Sequence, residues 1–132
     1  MSYQRAETAI VLAGVEASRA FFAPCFGGRG RDSLWVAHVD EQARCIHLAS
    51  YRGGERQPGL PAPEILRDAA RLGSAGVVLA EGHSADEARS AAADVRATRE
   101  LAGAADALGV TVLDHLLFAD TDCTSMRRSG ML

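Results

Sequence analysis

The residue types best suited to chemistry meet where an apolar run of the sequence ends. Residues 76–80 are Gly-Val-Val-Leu-Ala, Glu81 and His83 follow with one glycine between them, and Asp94 comes eleven residues after the histidine. One imidazole and two carboxylates can hold Zn²⁺, or a harder ion such as Mn²⁺, if the fold brings them together. A histidine at a strand end is also commonly an ordinary hydrogen-bonded surface side chain, so both interpretations are kept.

The other reactive side chains have no partner that the sequence can name. His38 and His47 fall on a predicted hairpin. Cys45 is interpreted as a buried small side chain, because no neighbouring motif would lower the pKa of its thiol. The glycine-rich stretch at 27–30 lacks the Gly-Lys-Ser/Thr ending of a phosphate loop and is interpreted as a linker.

Alternating strands and helices must position these residues. The periodicity predicts a helix over 7–22, followed by strands at 34–39 and 45–49 that are joined by a turn at 40–43. After a loop at 52–61, it predicts a helix with Pro63 in its first turn and a central strand at 76–80. An alanine-rich helix ending at Gly109, a strand at 110–118 and a short strand at 126–132 complete the prediction. Because the first two strands form a hairpin, we predict an α/β (α+β) domain with a mixed β-sheet flanked by helices. Residues 1–132 are predicted to form a single domain, with an N-terminal helix and linker at 1–28 and a core at 31–132.

The composition bounds the class of protein. A chain of 132 residues, 48% hydrophobic and 23% charged, fits one globular domain. The net charge of −3 and the absence of a basic stripe give no nucleic-acid signature. Three cysteines without C-x-x-C spacing argue against disulfides and against a cysteine zinc site. No signal peptide is visible, and no apolar run approaches the roughly 20 residues that cross a bilayer, so we expect a reduced, soluble, cytoplasmic domain.

Longer stretches of the sequence carry a family resemblance. "LAEGHS", Asp94 and "TRELAGAADALGVTVLDHLLFAD" over 98–120 resemble the C-terminal domain of RadC-type proteins, which has the JAB/MPN (cytidine-deaminase-like) fold of the JAMM metallopeptidases. "RDSLWVAHVD" at 31–40 fits the family's first strand, and the resemblance covers some 100 residues. Its most specific pieces are Thr98, Leu101, Leu108-Gly109 and Leu113-Asp114-His115. The resemblance implies that His115 supports its strand and is not a ligand.

The family's metal site implies a role for the residues of the first motif. Its ligands are two histidines spaced H-x-H and an aspartate eleven residues later, with a fourth position left for water. In this sequence the first histidine position holds Glu81, whereas His83 and Asp94 match the other two. The ligand set that the resemblance implies is therefore Glu81, His83 and Asp94, if a metal binds.

The catalytic positions that the resemblance implies are altered as well. The general-base glutamate of the first strand corresponds to Asp32, whose side chain is shorter by one methylene, and a shift on that scale is costly. The serine that steadies the oxyanion corresponds to Ala91, and losing one such donor typically reduces the rate about a hundredfold or more. Ser90, beside it, is a weak substitute.

The segment between the two conserved ligands argues further against chemistry. The family has a proline-rich turn there, whereas residues 84–91 contain no proline and no glycine. Ser84-x-x-Glu87 is a capping box that would begin a helix at once. At a rise of 1.5 Å per residue, Asp94 would then lie roughly 15 Å from His83, too far to share an ion. A helix that begins with Ser90 as its N-cap would keep the site assembled; we favour the earlier start.

Two functions are therefore in competition. The leading hypothesis is a RadC-like JAB domain with a degenerate metal site and no resident metal, which acts as a non-catalytic binding or scaffolding module. Its partner would be another protein, a second copy of the chain or a DNA-processing complex, the last by family analogy alone. The alternative is a metal-dependent (zinc or manganese) peptidase or isopeptidase that uses Glu81, His83 and Asp94 as ligands and Asp32 as base. A different chemistry in the same cleft has no support in the sequence.

Overall fold

The computed structural model describes residues 10–26, 34–51, 60–82, 91–119 and 122–132, with residues 91–93 described by their backbone alone. In these ranges the helices are α1 (Val15–Phe22), α2 (Ala62–Leu72) and α3 (Ala91–Ala107), and a short 3-10 helix at Ala23–Phe26 follows α1. The strands are β1 (Leu34–Val39), β2 (Cys45–Tyr51), β3 (Gly76–Gly82), β4 (Thr111–Ala119) and β5 (Asp122–Ser125).

The strands form one mixed sheet in the order β2-β1-β3-β4-β5. β3 and β4 are parallel and are connected through α3, while the β1–β2, β1–β3 and β4–β5 pairs are antiparallel. A parallel pair needs a long crossover connection, and the alanine-rich helix supplies it. The predicted hairpin and the mixed α+β architecture are both confirmed.

Apolar side chains cover both faces of the central strand β3. Val77 and Leu79 point to one face, where α2 and α3 contribute Ile65, Ala69, Leu101 and Ala105. Val78 and Ala80 point to the other face, where they join Phe22 of α1. This two-sided burial explains the continuous apolar run at 76–80, since a strand covered on both faces does not alternate with polar residues.

The N-terminal helix is shorter than predicted. The prediction of a helix from residue 7 is wrong for residues 10–14, where the chain is not helical, and residues 7–9 lie outside the described ranges. The amide of Leu12 donates to the carbonyl of Ala43 at 2.7 Å, so this segment pairs with the start of the hairpin's second arm. Gly14, at φ 97°, lies in a backbone region that favours glycine, and α1 begins at the next residue.

The last predicted strand, at 126–132, is also wrong. The final strand β5 lies earlier, and residues 126–130 form turns. The carboxylate of Asp114 accepts a hydrogen bond from the backbone amide of Arg127 at 3.0 Å, and Gly130 adopts φ 79°. These interactions bend the chain back on itself immediately after β5. No helix within the described ranges is long and apolar enough to cross a membrane.

The buried face of α3 was predicted only in part. Ala105 is fully buried and Val95 and Ala102 are half-buried, as the predicted stripe requires. The stripe omitted Thr98 and Leu101, which are also buried, because it was traced through small apolar residues. Of the remaining predicted members, Ala88 lies outside the described residues, and Ala91 and Ala92 are described by their backbone alone.

Candidate functional site: a buried polar network at the end of β3

Glu81 and Asp94 are the two predicted site residues that the structure describes. Glu81 lies near the end of β3, opposite Leu34 of β1 and Leu117 of β4. Asp94 lies in the first turn of α3 as that helix is described. The other predicted residues, Asp32, His83 and Ser90, lie outside the described ranges, and so does the predicted helix start at Ser84.

No group of three histidine, cysteine or carboxylate side chains that could hold a metal occurs among the described residues. The predicted ligand His83 is outside that set, so the proposed site of Glu81, His83 and Asp94 stays a prediction. What the structure does describe is the surroundings of Glu81 and of the backbone at Asp94.

The carboxylate of Glu81 contacts the imidazole of His115. Glu81 Oε1 lies 2.8 Å from Nε2 of His115, and the two side chains are 22% and 0% exposed. Their strands are parallel neighbours, and β4 carries an irregularity next to Val112 that shifts its register by one residue. After this shift His115 lies opposite Leu79, on the sheet face that α3 covers.

A threonine of α3 holds the other side of the imidazole ring. The hydroxyl of Thr98 donates to the backbone carbonyl of Asp94 at 2.7 Å, and the same oxygen lies 2.8 Å from Nδ1 of His115. A hydroxyl has a single proton to donate, so towards the ring Thr98 must accept. Nδ1 of His115 therefore carries a hydrogen.

This tautomer constrains the contact between Glu81 and His115. If Nδ1 is protonated and the ring is neutral, Nε2 presents a lone pair to the carboxylate oxygen, and two lone pairs at 2.8 Å repel. In this tautomer the contact therefore joins two atoms that both act as hydrogen-bond acceptors.

The aspartate before His115 fixes the strand on its other face. Asp114 accepts hydrogen bonds from the backbone amide of His115 at 2.7 Å and from the hydroxyl of Ser125 at 2.5 Å. These bonds join β4 to β5 and restrict the backbone next to the imidazole.

The sequence did not predict that His115 would contact the first ligand position. The signal available was the matched trio of Thr98, Asp114 and His115, which the structure brings around the end of β3. Periodicity could not reveal this contact, because it depends on the register shift in β4 and on the buried face of α3.

Two further interpretations of reactive side chains are tested by the described residues. Cys45 is 4% exposed, which confirms that it is a buried small side chain, and burial raises the pKa of its thiol to about 11. All three cysteines, Cys25, Cys45 and Cys123, are free thiols. His38, for which the sequence named no partner, is fully buried between Ser74 and Tyr51.

The mixed five-stranded sheet, with helices on both faces and Glu81 at the end of its central strand, defines an α+β domain of the JAB/MPN class. Comparison with protein families agrees with this class. The RadC-like JAB domain matches residues 12–131, and the chain belongs to this family.

Curated relatives carry the same domain within longer chains. A UPF0758 protein from Polaromonas sp. is 33% identical over 118 residues, which cover 89% of this chain and 53% of that protein. A UPF0758 protein from Photorhabdus laumondii is 26% identical over 123 residues, which cover 92% of this chain and 54% of its own. The chain therefore spans about half the length of the relatives that it matches.

Proposed function

We propose that this chain is a RadC-like JAB domain whose hydrolytic metal site is degenerate and which acts as a non-catalytic binding or scaffolding module. The observation that carries the proposal is the contact of Glu81 with His115. Glu81 occupies the position where the family has its first metal-binding histidine, and its carboxylate is already in contact with a fully buried imidazole of the same chain.

The contact with His115 weakens a cation site at Glu81. An ion bound there would have to displace or share the contact between Oε1 of Glu81 and Nε2 of His115, which lie 2.8 Å apart. A histidine at position 81 would instead present a neutral ring nitrogen to the metal.

The altered catalytic positions support the same proposal from the sequence. Asp32 stands for the general-base glutamate, and Ala91 for the oxyanion-binding serine. A metal bound at Glu81, His83 and Asp94 would therefore still lack two parts of the hydrolytic machinery. The proposed function does not depend on these parts, because a module that binds a partner needs only the folded surface.

The proposed partner is another protein or a second copy of the chain. Association with a DNA-processing complex is a further proposal, which rests on the DNA-repair label of the family alone. We place the protein in the cytoplasm, and its three free cysteines agree with a reducing compartment.

Zinc titration of three forms of the chain tests the proposal. The unmodified protein is expected to show no stoichiometric zinc binding by calorimetry. Glu81→His restores the H-x-H pair and is expected to bind zinc if His83 and Asp94 can reach a common ion. Glu81→Gln is the matched control, since it removes the charge without supplying a ligand. Tight zinc binding by the unmodified protein would contradict the proposal.

The match of His83 and Asp94 to two of the three ligand positions favours a second candidate function. The chain would then be a metal-dependent peptidase or isopeptidase with Glu81, His83 and Asp94 as ligands and Asp32 as base. That function predicts bound metal that His83→Ala abolishes, and hydrolysis that Asp32→Asn abolishes while the metal stays bound.

A further inference from the structure

A second buried polar cluster lies towards the opposite end of β3 from Glu81. It consists of one side chain from each neighbouring element: His38 of β1, Tyr51 of β2, Asp68 of α2, and Ser74 just before β3. His38 lies opposite Val77, four residues before Glu81 in β3. Tyr51 lies opposite Leu34, and its phenol reaches back along the sheet to His38. The two clusters share no residue.

The hydrogen bonds of this cluster run in one direction. The hydroxyl of Tyr51 donates its single proton to Asp68 at 2.5 Å, so it must accept from Nε2 of His38, 3.3 Å away. Because Nε2 carries the hydrogen, Nδ1 of a neutral ring is an acceptor, and the hydroxyl of Ser74 donates to it at 3.0 Å. The relay from Ser74 through His38 to Tyr51 and Asp68 is satisfied only when the imidazole is neutral.

The charges around the ring favour this neutral form. His38 is fully buried, and burial lowers the pKa of its imidazole to about 4, with a further lowering from His47, whose ring centre is 6.1 Å away on β2. On α2, Asp68 acts in the opposite direction and Arg71 in the same one. Glu64, at the start of α2, contributes to raising the pKa of the neighbouring Tyr51 phenol.

A serine hydrogen-bonded to a histidine is also the arrangement of an activated nucleophile. Here the neighbouring backbone amides are already used: that of Ser74 donates to the carbonyl of Ala69 and that of Ala75 to the carbonyl of Val39, each at 2.9 Å. Neither can stabilise an oxyanion. The base is moreover fully buried, so this cluster is suited to holding elements together and not to catalysis.

We propose that this relay of Ser74, His38, Tyr51 and Asp68 is an acid-sensitive latch that holds α2 and the turn after it against β1 and β2. Protonation of His38 would place a full charge in the core and turn Nδ1 into a donor, which Ser74 could then meet only by rotating its hydroxyl away from the ring. If the relay is broken, α2 is still held on the sheet by its buried side chains, Ile65 and Ala69. At acidic pH we expect α2 to open locally before the rest of the sheet.

Nuclear magnetic resonance of the full chain tests the relay without any substitution. Long-range proton–nitrogen spectra distinguish the two neutral tautomers of histidine. His38 is expected to be the Nε2–H tautomer at pH 7 and to stay neutral down to about pH 5, since burial lowers its pKa to about 4. The Nδ1–H tautomer, or a ring already charged at pH 6, would overturn the proposal.

Amide hydrogen exchange, corrected for the intrinsic effect of pH, tests the latch. As the pH falls from 6.5 towards 4, the opening constant of α2 is expected to rise by up to about tenfold per pH unit, and that of α3 by less. His38→Gln stays neutral and can still donate and accept, so it is expected to remove this difference. An unchanged difference in His38→Gln, or parallel responses of α2 and α3 in the unmodified chain, would contradict the latch.

A matched pair of serine substitutions tests the same latch at neutral pH. Ser74→Ala leaves Nδ1 of His38 without its donor and is expected to raise the opening constant of α2 by about fivefold to a hundredfold. Ser50→Ala, at an exposed serine of β2, is the control and is expected to change it by less than about twofold. Equal effects of the two substitutions would contradict the proposal.

Discussion

Replacing Thr98 by valine tests the network that connects α3 to the end of β3. The two side chains have nearly the same shape, so the substitution removes the hydroxyl and leaves the packing intact. The hydroxyl donates to the carbonyl of Asp94 and accepts from Nδ1 of His115, and both threonine and histidine are fully buried. No water can replace a buried partner without opening the core.

The magnitude follows from the groups left without partners. Leaving the buried N–H of His115 without a partner lowers the free energy of unfolding by about 1–3 kcal/mol. The carbonyl of Asp94 loses a second donor, which adds about 0.5–1.5 kcal/mol, and the buried methyl group of valine returns about 0.8 kcal/mol. We therefore expect Thr98→Val to reduce the free energy of unfolding by about 1–4 kcal/mol.

Urea unfolding followed by circular dichroism measures this change. Thr111→Val, at an exposed position of β4, is the matched control and is expected to change stability by less than about 0.5 kcal/mol. Thr98→Ser keeps the hydroxyl and is expected to recover part of the loss. The reasoning is refuted if Thr98→Val is as mild as the control, or if Thr98→Ser is no more stable than Thr98→Val.

Further outcomes follow from other parts of the structure. Gly76→Ala is expected to lower the free energy of unfolding in urea by about 1–3 kcal/mol, since a Cβ there would lie 2.9 Å from the carbonyl oxygen of Thr111. Gly103→Ala, at a helical position with open space, should leave stability equal or higher. Changes of the same sign in both variants would contradict the close approach at Gly76. The folded-state pKa of His38 lies below its ordinary value, so the contribution of the neutral ring to the free energy of unfolding is fully present above pH 6.5. This contribution, up to about 3 kcal/mol, is lost as the pH falls towards 4. Urea unfolding of His38→Gln over the same pH range should lack this loss. Cys45 should resist iodoacetamide at pH 8 in the native protein and react once it is unfolded, because its thiol is buried and has a pKa of about 11; rapid native labelling, located by mass spectrometry, would contradict this.

The elements that the sequence predicted well are those whose signal is local. The run at 76–80 and the helix with Pro63 in its first turn are bounded by their own turn and capping residues, and both are confirmed with small changes of boundary. The hairpin is confirmed for the same reason, since a turn joins two short apolar strands. The parallel pair of β3 and β4 follows from the helix between them.

The errors arose where distant residues decide the local structure. Residues 10–12 have helical periodicity, but their backbone pairs with the hairpin. The segment at 126–130 has an apolar end, but Asp114 holds it in turns through the amide of Arg127. Neither contact has a signature at short range, so propensity alone could not reveal it.

The sequence predicted where Glu81 lies in the fold but not which side chains it contacts. The family resemblance placed Glu81 at the first ligand position, and the structure confirms that this residue lies near the end of the central strand. The contact of Glu81 with His115, and the support of His115 by Thr98, depend on the β4 register and on a polar residue in the buried face of α3. The relay around His38 joins residues far apart in the sequence, and no motif announces it.

The metal content of the unmodified chain tests the central claim most directly. The purified protein is loaded with excess zinc, passed through a desalting column and analysed by inductively coupled plasma mass spectrometry. A degenerate site at Glu81, His83 and Asp94 predicts far less than one zinc per chain, unchanged in His83→Ala. One zinc per chain that is lost in His83→Ala would contradict the account and establish the site as a working metal centre.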